Sequence, residues 1–306
     1  MTATGGALPT LLYTAQGSIS GPGNPQTTSS LWRSSQYPEA IASDPIELEE
    51  IGQIPYAMWG LAIDPDPHSR VMYGVTSAYS AQHPQALVTI DQNTGAGTYI
   101  GDLNPDSGTV RDITFLPDGS LVGAVRNGNN SYLVKINRNT GNASGQWGTS
   151  VFVQGTAPST NCGMGVEYSF VDGYVYVFWT NRVYRVNAAT GNIDEPNFTT
   201  NNETEVWAVS MDPTGKMYEN EKATSDDTHF IVFDTVGDWY NPGGTVNGTY
   251  IAELYPASPG GQIPFAPLCF RFSDIVYQRI YGIPVEIDDN GTETVRELIV
   301  GIVGAP

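Results

Sequence analysis

Apolar and β-branched residues alternate with polar ones in short runs along most of this chain, as in Ile46-Glu47-Leu48-Glu49, Asp112-Ile113-Thr114-Phe115 and Val134-Lys135-Ile136-Asn137. Alternation of that length predicts half-buried β-strands. No segment carries apolar residues at i, i+3, i+4 and i+7 over the ten or more positions that a helix needs, so the chain is expected to be all-β.

The strands are punctuated by a recurring turn, Ile/Val-Asp/Asn-x-x-Thr-Gly. It stands at Ile90-Asp91 to Gly95, Ile136-Asn137 to Gly141 and Val186-Asn187 to Gly191, with weaker copies at Phe233-Asp234 to Gly237 and Ile287-Asp288 to Gly291. Successive turn glycines are 46, 50, 46 and 54 residues apart, a period that belongs to a propeller, solenoid or array. Ahead of the turns lie six short apolar-aromatic strands, at Leu12-Tyr13, Met72-Tyr73, Leu121-Val122, Val175-Tyr176, Met217-Tyr218 and Ile280-Tyr281. Four of these follow a loop of Asp, Pro and Gly: Asp64-Pro65, Pro117-Asp118-Gly119, Asp172-Gly173 and Asp212-Pro213-Thr214-Gly215. Proline presets φ and glycine supplies φ > 0, so these are hairpin turns. A further strand follows each Thr-Gly turn and ends in glycine or an apolar residue, as at Thr98-Tyr99-Ile100-Gly101, with Ile46 to Gly52 as its counterpart in the first repeat.

One unit is therefore four antiparallel strands, the size of a propeller blade. The expected architecture is a single six-bladed β-propeller domain over 1–306, with blades near 8–54, 55–107, 108–158, 159–201, 202–262 and 263–306. The first repeat begins at its Leu12-Tyr13 strand, with too little sequence before it for an innermost strand. A closing blade shared between the two termini is expected, with Val295 to Val303 supplying the missing strand and removing exposed edges.

Composition narrows the function classes. Charged residues make up 15% of the chain, against roughly 25% in soluble domains, and the formal net charge is −19. That acidity argues against sequence-independent nucleic-acid binding, which needs a Lys/Arg stripe, and against an anionic membrane surface. A surface of Ser, Thr, Asn, Gln and Gly with only three lysines, Lys135, Lys216 and Lys222, points to work outside the cell. Residues 1–16 have neither a basic region nor a sustained apolar core of a secretory leader, and no run approaches a membrane span. Together these lead to the expectation of a virion component or an extracellular protein.

Aligning the units on their Asp-Pro-Gly turns puts Trp59, Arg111, Gly165 and Trp207 at equivalent positions near one mouth of the channel, with Asp112, Glu167 and Glu205 close by. Indole faces, a planar cation and carboxylates around a rim suit a glycan or a protein surface. The competing reading makes Trp59 and Trp207 wedges between blades. A hydrolase would instead pair two of Asp112, Glu167 and Glu205 around one bond. The histidines His68, His83 and His229 have no nucleophile beside them in sequence, and Gly17-Ser18-Ile19-Ser20-Gly21 is not a Gly-x-Ser-x-Gly elbow. Cys162 and Cys269 lack metal-ligand spacing and read as buried thiols or as a bridge across the channel.

The unit Leu87 to Gly101, Leu-Val-x-Ile-Asp-x-x-Thr-Gly-x-x-x-x-Ile-Gly in outline, resembles the repeat of extracellular and phage-encoded β-propeller proteins. The resemblance implies the fold and leaves activity open, since its motifs specify turns. The chain is also similar in repeat number to six-bladed sugar-lactone hydrolases, which centre calcium on tunnel oxygen ligands; that likeness would give such a role to Glu167, Asn161, Asp112 and Glu205. The expectation is a non-enzymatic structural or binding module without a cofactor, most simply a phage head, neck or tail component contacting other subunits or surface glycans. The alternative is an extracellular propeller hydrolase, lyase or lactonase using tunnel carboxylates, with calcium.

Overall fold

The recurring turn closes in the way its residues dictate. The Asp91 carboxylate accepts the Asn93 and Thr94 amides at 2.8 and 3.0 Å, and the Gly95 amide donates to the Asp91 carbonyl at 2.8 Å. Gly95 then takes a φ of 74°, a left-handed conformation open to glycine without a Cβ penalty. Asn137 with Gly141 and Asn187 with Gly191 repeat the pattern, at φ 77° and 73°. In each case the Thr hydroxyl accepts the amide two residues on.

The computed structural model describes residues 11–16, 28–34, 46–66, 69–128, 130–153, 164–194, 198–200, 205–211, 216–222, 228–233, 245–246, 249–256, 265–271, 279–282, 285–287, 293–295 and 299–302. Among them there is no helix, and so none able to cross a membrane. The Asp212 to Gly215 turn, the Phe233 to Gly237 turn beyond Phe233, and His68, Asn161 and Cys162 lie outside the described residues.

The strands in chain order are β1 (Leu11–Gln16), β2 (Ser29–Ser34) and β3 (Ile46–Ile54), followed by β4 (Met58–Ile63), β5 (Met72–Thr76), β6 (Ala86–Ile90) and β7 (Gly97–Asp102). Then come β8 (Thr109–Phe115), β9 (Leu121–Arg126) and β10 (Tyr132–Ile136), and β11 (Met164–Tyr168), β12 (Tyr174–Trp179), β13 (Arg182–Asn187) and β14 (Phe198–Thr200). After these are β15 (Glu205–Met211), β16 (Met217–Lys222), β17 (Thr228–Phe233), β18 (Thr245–Val246), β19 (Thr249–Pro256) and β20 (Phe265–Arg271).

Antiparallel pairing groups them into blades β4-β5-β6-β7, β8-β9-β10, β11-β12-β13-β14 and β15-β16-β17-β19. In the β8 blade the outer edge is finished by isolated bridges, Val134 to Gln146 and Ser131 to Phe152. The remaining blade is composite: β20 pairs with β1 in the register Tyr13 to Cys269, and β1 is followed by β2 and β3. The inner strands β4, β8, β11, β15 and β20 touch in that cyclic order, β20 returning to β4. This is a closed β-propeller whose last blade is shared between early and late sequence.

One expectation needs correction. The strand that completes the first blade is β20, not Val295 to Val303. The segment 263–306 contributes β20 to that composite blade, and among the described residues five inner strands touch in a ring. The physical reason is that both 265–271 and 295–303 are β-forming, and strand pattern specifies a face rather than which distant edge a strand joins.

By contacts the chain divides into a unit spanning Pro9–Phe272, which holds the propeller, and a second made of Met1–Leu8 with Ser273–Pro306. In the second, β21 (Arg279–Gly282) pairs with β24 (Ile299–Ile302) and β22 (Val285–Ile287) with β23 (Glu293–Val295). The two ladders keep one antiparallel register to within a residue, Arg279 to Ile302 and Ile287 to Glu293.

The core lies between blades. Tyr13, Leu31, Met58, Leu61, Met72 and Val88 fill the space between the first two blades. Val75, Leu87, Ile113, Phe115, Leu121 and Val134 fill the next, and Val122, Leu133, Val166, Val177, Trp179 and Tyr184 the one after.

Candidate functional site

Trp59, Arg111 and Trp207 were placed at equivalent positions from turn alignment, and the strand registers agree. In β4 the pairing passes from Met58–Thr76 to Gly60–Val75, leaving Trp59 as the extra residue of a β-bulge. In β8 it passes from Val110–Val125 to Asp112–Ala124 around Arg111, and in β15 from Val206–Glu221 to Ala208–Asn220 around Trp207. A bulge re-aims the side chain it carries, and recurrence at one level of three inner strands makes that level special. Gly165, aligned with them from sequence, is in regular pairing with Phe178 and is not a bulge.

Two of the three side chains meet. The Arg111 guanidinium carbon lies 3.7 Å from the centroid of the Trp59 ring, a cation–π contact. Tyr79, from the loop between β5 and β6, meets the same indole edge-on, with centroids 5.9 Å apart. Trp59 is only partly buried and belongs to none of the interblade clusters, unlike its neighbours Met58 and Leu61. The side chains of Trp207 and Glu205 lie outside what is described, so only their backbone places on β15 are fixed.

The close approach has a local cause. A Cβ on Gly60 would come within 2.8 Å of the Asp112 Cα and 2.9 Å of its Oδ1, so β4 and β8 come this close because residue 60 is glycine. Gln85 fixes the entry of β8: its Oε1 accepts the Val110 amide at 2.6 Å, while its Nε2 donates to the Val110 carbonyl at 3.2 Å and the Thr76 carbonyl at 3.1 Å. The loop carrying Tyr79 is held by the Ser77 amide on the Ala57 carbonyl, 2.7 Å, and by the Thr76 hydroxyl on the His83 carbonyl, 2.5 Å. His83, at φ 45°, stacks on Tyr99 at 4.0 Å in the same loop.

Arg111 is deeply placed. Burial, and secondarily the positive charge of Arg126, bring its pKa down to about 10, which still leaves it a cation near neutrality. Its Nε is buried without a hydrogen-bond partner, and among the described residues it has no carboxylate partner.

The carboxylates do other work. Asp112 is buried, its Oδ2 accepts the Val166 amide of β11 at 3.0 Å, and its Oδ1 accepts the Ile113 amide at 2.9 Å. Two residues along, the Thr114 hydroxyl accepts the Tyr168 amide at 3.2 Å and donates to Glu167 Oε1 at 3.3 Å. Inner strands β8 and β11 belong to different sheets, and these side chains supply the bonds between them. Burial holds Asp112 well above the usual carboxylate range despite the two amides; burial, then the neighbouring Asp112 charge, does the same to Glu167. Both Asp112 oxygens accept backbone amides, so its carboxyl is engaged in the seam between two blades. No cluster of three metal-ligating side chains occurs among the described residues.

Tyr79, Gln85 and Thr114 were not singled out from sequence. Thr114 alone had a signal, a second polar residue at period two from Asp112 on an inner strand; Tyr79 and Gln85 act through loop geometry.

No family model matches the chain, and no curated protein matches it in sequence. Among solved structures, a protein of unknown function from Bacteroides thetaiotaomicron is 14% identical, covering 84% of this chain and 64% of its own, with a TM-score of 0.48. Regucalcin from Agrobacterium tumefaciens, a calcium-binding protein, is 17% identical, covering 81% and 76%, with a TM-score of 0.41. The Dos1 propeller is 12% identical, covering 77% and 56%, with a TM-score of 0.38. The chain thus spans less than two thirds of two of these proteins. The fold assignment rests on the strand pairings above, and these likenesses assign no activity.

Proposed function

We propose that this protein is a non-enzymatic β-propeller binding module whose contact face is the channel end bearing Trp59, Arg111 and Tyr79. One observation carries the reading: an arginine without a carboxylate partner among the described residues is stacked on a part-exposed indole, both at matching bulges of adjacent inner strands. Bulges, a dedicated glycine and an anchored loop fix this pair in place, and rigid aromatic and arginine groups commonly dominate binding energy. Glu205 and Trp207 stand at the same level on β15. The engagement of Asp112 in the seam supports binding over hydrolysis. In this reading the protein works outside the cell or on a virion surface, touching protein subunits of an assembly or surface glycans, and needs neither cofactor nor calcium.

The test is incubation of purified protein with a panel of polysaccharides and sugar lactones, with and without calcium, following both retention and product release. The reading expects retention of at least one glycan without release of product, and no dependence on calcium. Turnover of any member would establish the hydrolase, lyase or lactonase alternative instead. Mass spectrometry of purified particles tests the virion setting, which requires the protein to be an abundant component.

A further inference from the structure

One face of the Trp59 indole, on which a neutral sugar could stack, is already occupied. Arg111 covers one face of Trp59 at 3.7 Å, and Tyr79 stands edge-on to the ring at 5.9 Å. What this assembly has left to offer is the guanidinium itself, backed by an aromatic plane and lacking a carboxylate partner. The described ion pairs give Arg33, Arg138 and Arg185 a carboxylate each, at 2.9, 2.6 and 2.8 Å. Among the described residues Arg111 has none, in a chain with 32 acidic and 13 basic side chains. Arg126 is near enough to disfavour its charge further. A buried cation kept beside a second cation costs stability unless something binds it.

We infer that Arg111, held on Trp59, is a preformed receptor for the carboxylate of an acidic sugar unit, a uronate, presented at this end of the channel. The inference rests on the binding-module reading and specifies its ligand class. A planar guanidinium takes a carboxylate through two parallel N–H···O bonds, and stacking removes much of its rotamer freedom beforehand. The sugar is favoured over a protein carboxylate because part-buried Trp59 and Tyr79 lie beside the cation, where sugar C–H groups can pack on aromatic π surface, and the loop behind them is polar. The chain's net charge of −19 restricts the ligand further: a densely charged polyanion is repelled overall, so isolated carboxylates on a largely neutral chain fit best.

The direct test compares short oligogalacturonates with their methyl esters, which keep the ring and linkage and lose the charge, by calorimetry against the whole protein. The expected result is binding of the acid form, weakened by salt, with the ester bound about tenfold to hundredfold less tightly, the range of one charge-assisted contact. Arg111→Gln removes the preference for the acid, and Arg111→Lys restores part of it, with melting curves showing that each variant folds. Equal binding of acid and ester overturns the inference while leaving the binding-module reading standing. Failure of both, or binding of acidic peptides in their place, overturns it as well. The wild-type comparison needs no variant, so a misfolded Arg111→Gln cannot obscure the outcome.

Discussion

Gly101, in the last strand of the second blade, packs directly on the Thr140 carbonyl in the turn of the third, so closely that a Cβ on it would collide with that oxygen. Gly52 meets Thr94 in the same way one blade earlier, and Gly141 closes on Gly101 from the other side. The glycine ending each unit's strand is thus the seat for the next unit's turn, which is why Ile-Gly and Thr-Gly recur together. Backbone cannot swing aside as a side chain can, so Gly101→Ala is expected to cost about 3 kcal/mol, the upper end for overpacking. Urea unfolding checks it, and a loss within about 0.5 kcal/mol, the level of a neutral surface change, would refute the latch.

Arg138 and Asp64 tie the same two blades at their hairpin ends, Nη1 to Oδ2 at 2.6 Å, with Asp64 buried and Arg138 partly open to water. Arg138→Met strands a buried carboxylate that retains only the Asp66 amide, at 3.0 Å. The expected loss is about 1–3 kcal/mol, tempered because water can reach the vacated site. Adding Asp64→Asn should recover part of it, and additive losses in a double-mutant cycle would mean that the pair does not couple.

Asp112→Asn keeps one acceptor and turns the other position into a donor facing a backbone amide. Either Val166 or Ile113 then has an unpaired N–H, and the cost should be about 1–3 kcal/mol. Hydrogen exchange at Val166 should quicken more than at Val177, which is buried within the next strand. Unchanged exchange would show that the seam does not depend on Asp112.

Glu167 supplies a pH signature. Its folded pKa is raised above the unfolded value of 4.5, so between the two values the folded state holds more protons than the unfolded chain. Its contribution to stability is therefore full below pH 4.5 and declines as pH rises through the folded pKa. Asp112 acts in the same direction, its folded pKa being raised above 3.8. Thermal unfolding from pH 5 to 8 should show a falling midpoint, and Glu167→Gln should flatten the fall. An unaltered slope in the variant would assign the effect to other groups.

The turns, the repeat and the level of Trp59 and Arg111 were legible because each is set locally. An Asn/Asp-x-x-Thr-Gly turn folds on its own hydrogen bonds, and counting from a hairpin turn fixes rungs on both strands. Closure was legible in principle but not in detail: β1 needs a partner from far along the chain, and 265–271 and 295–303 are both β-forming. Strand pattern specifies a face, not a distant edge. The structural role of Asp112 was hidden for the same reason, since the amide it accepts is 54 residues away. Tyr79 and Gln85 depend on a loop held by tertiary contacts, with Gln85 at φ 52°, which composition does not reveal.

The central claim, that Trp59 belongs to a contact face and is not a blade wedge, is tested most directly by Trp59→Ala, with unfolding free energy and ligand retention measured on the same preparation. A part-buried indole held chiefly by one cation–π contact should cost no more than about 2 kcal/mol to remove, and retention of the glycan or partner should fall by at least about tenfold, as for an aromatic anchor. A loss of about 3–5 kcal/mol, as for a core aromatic, with retention unchanged, would contradict it.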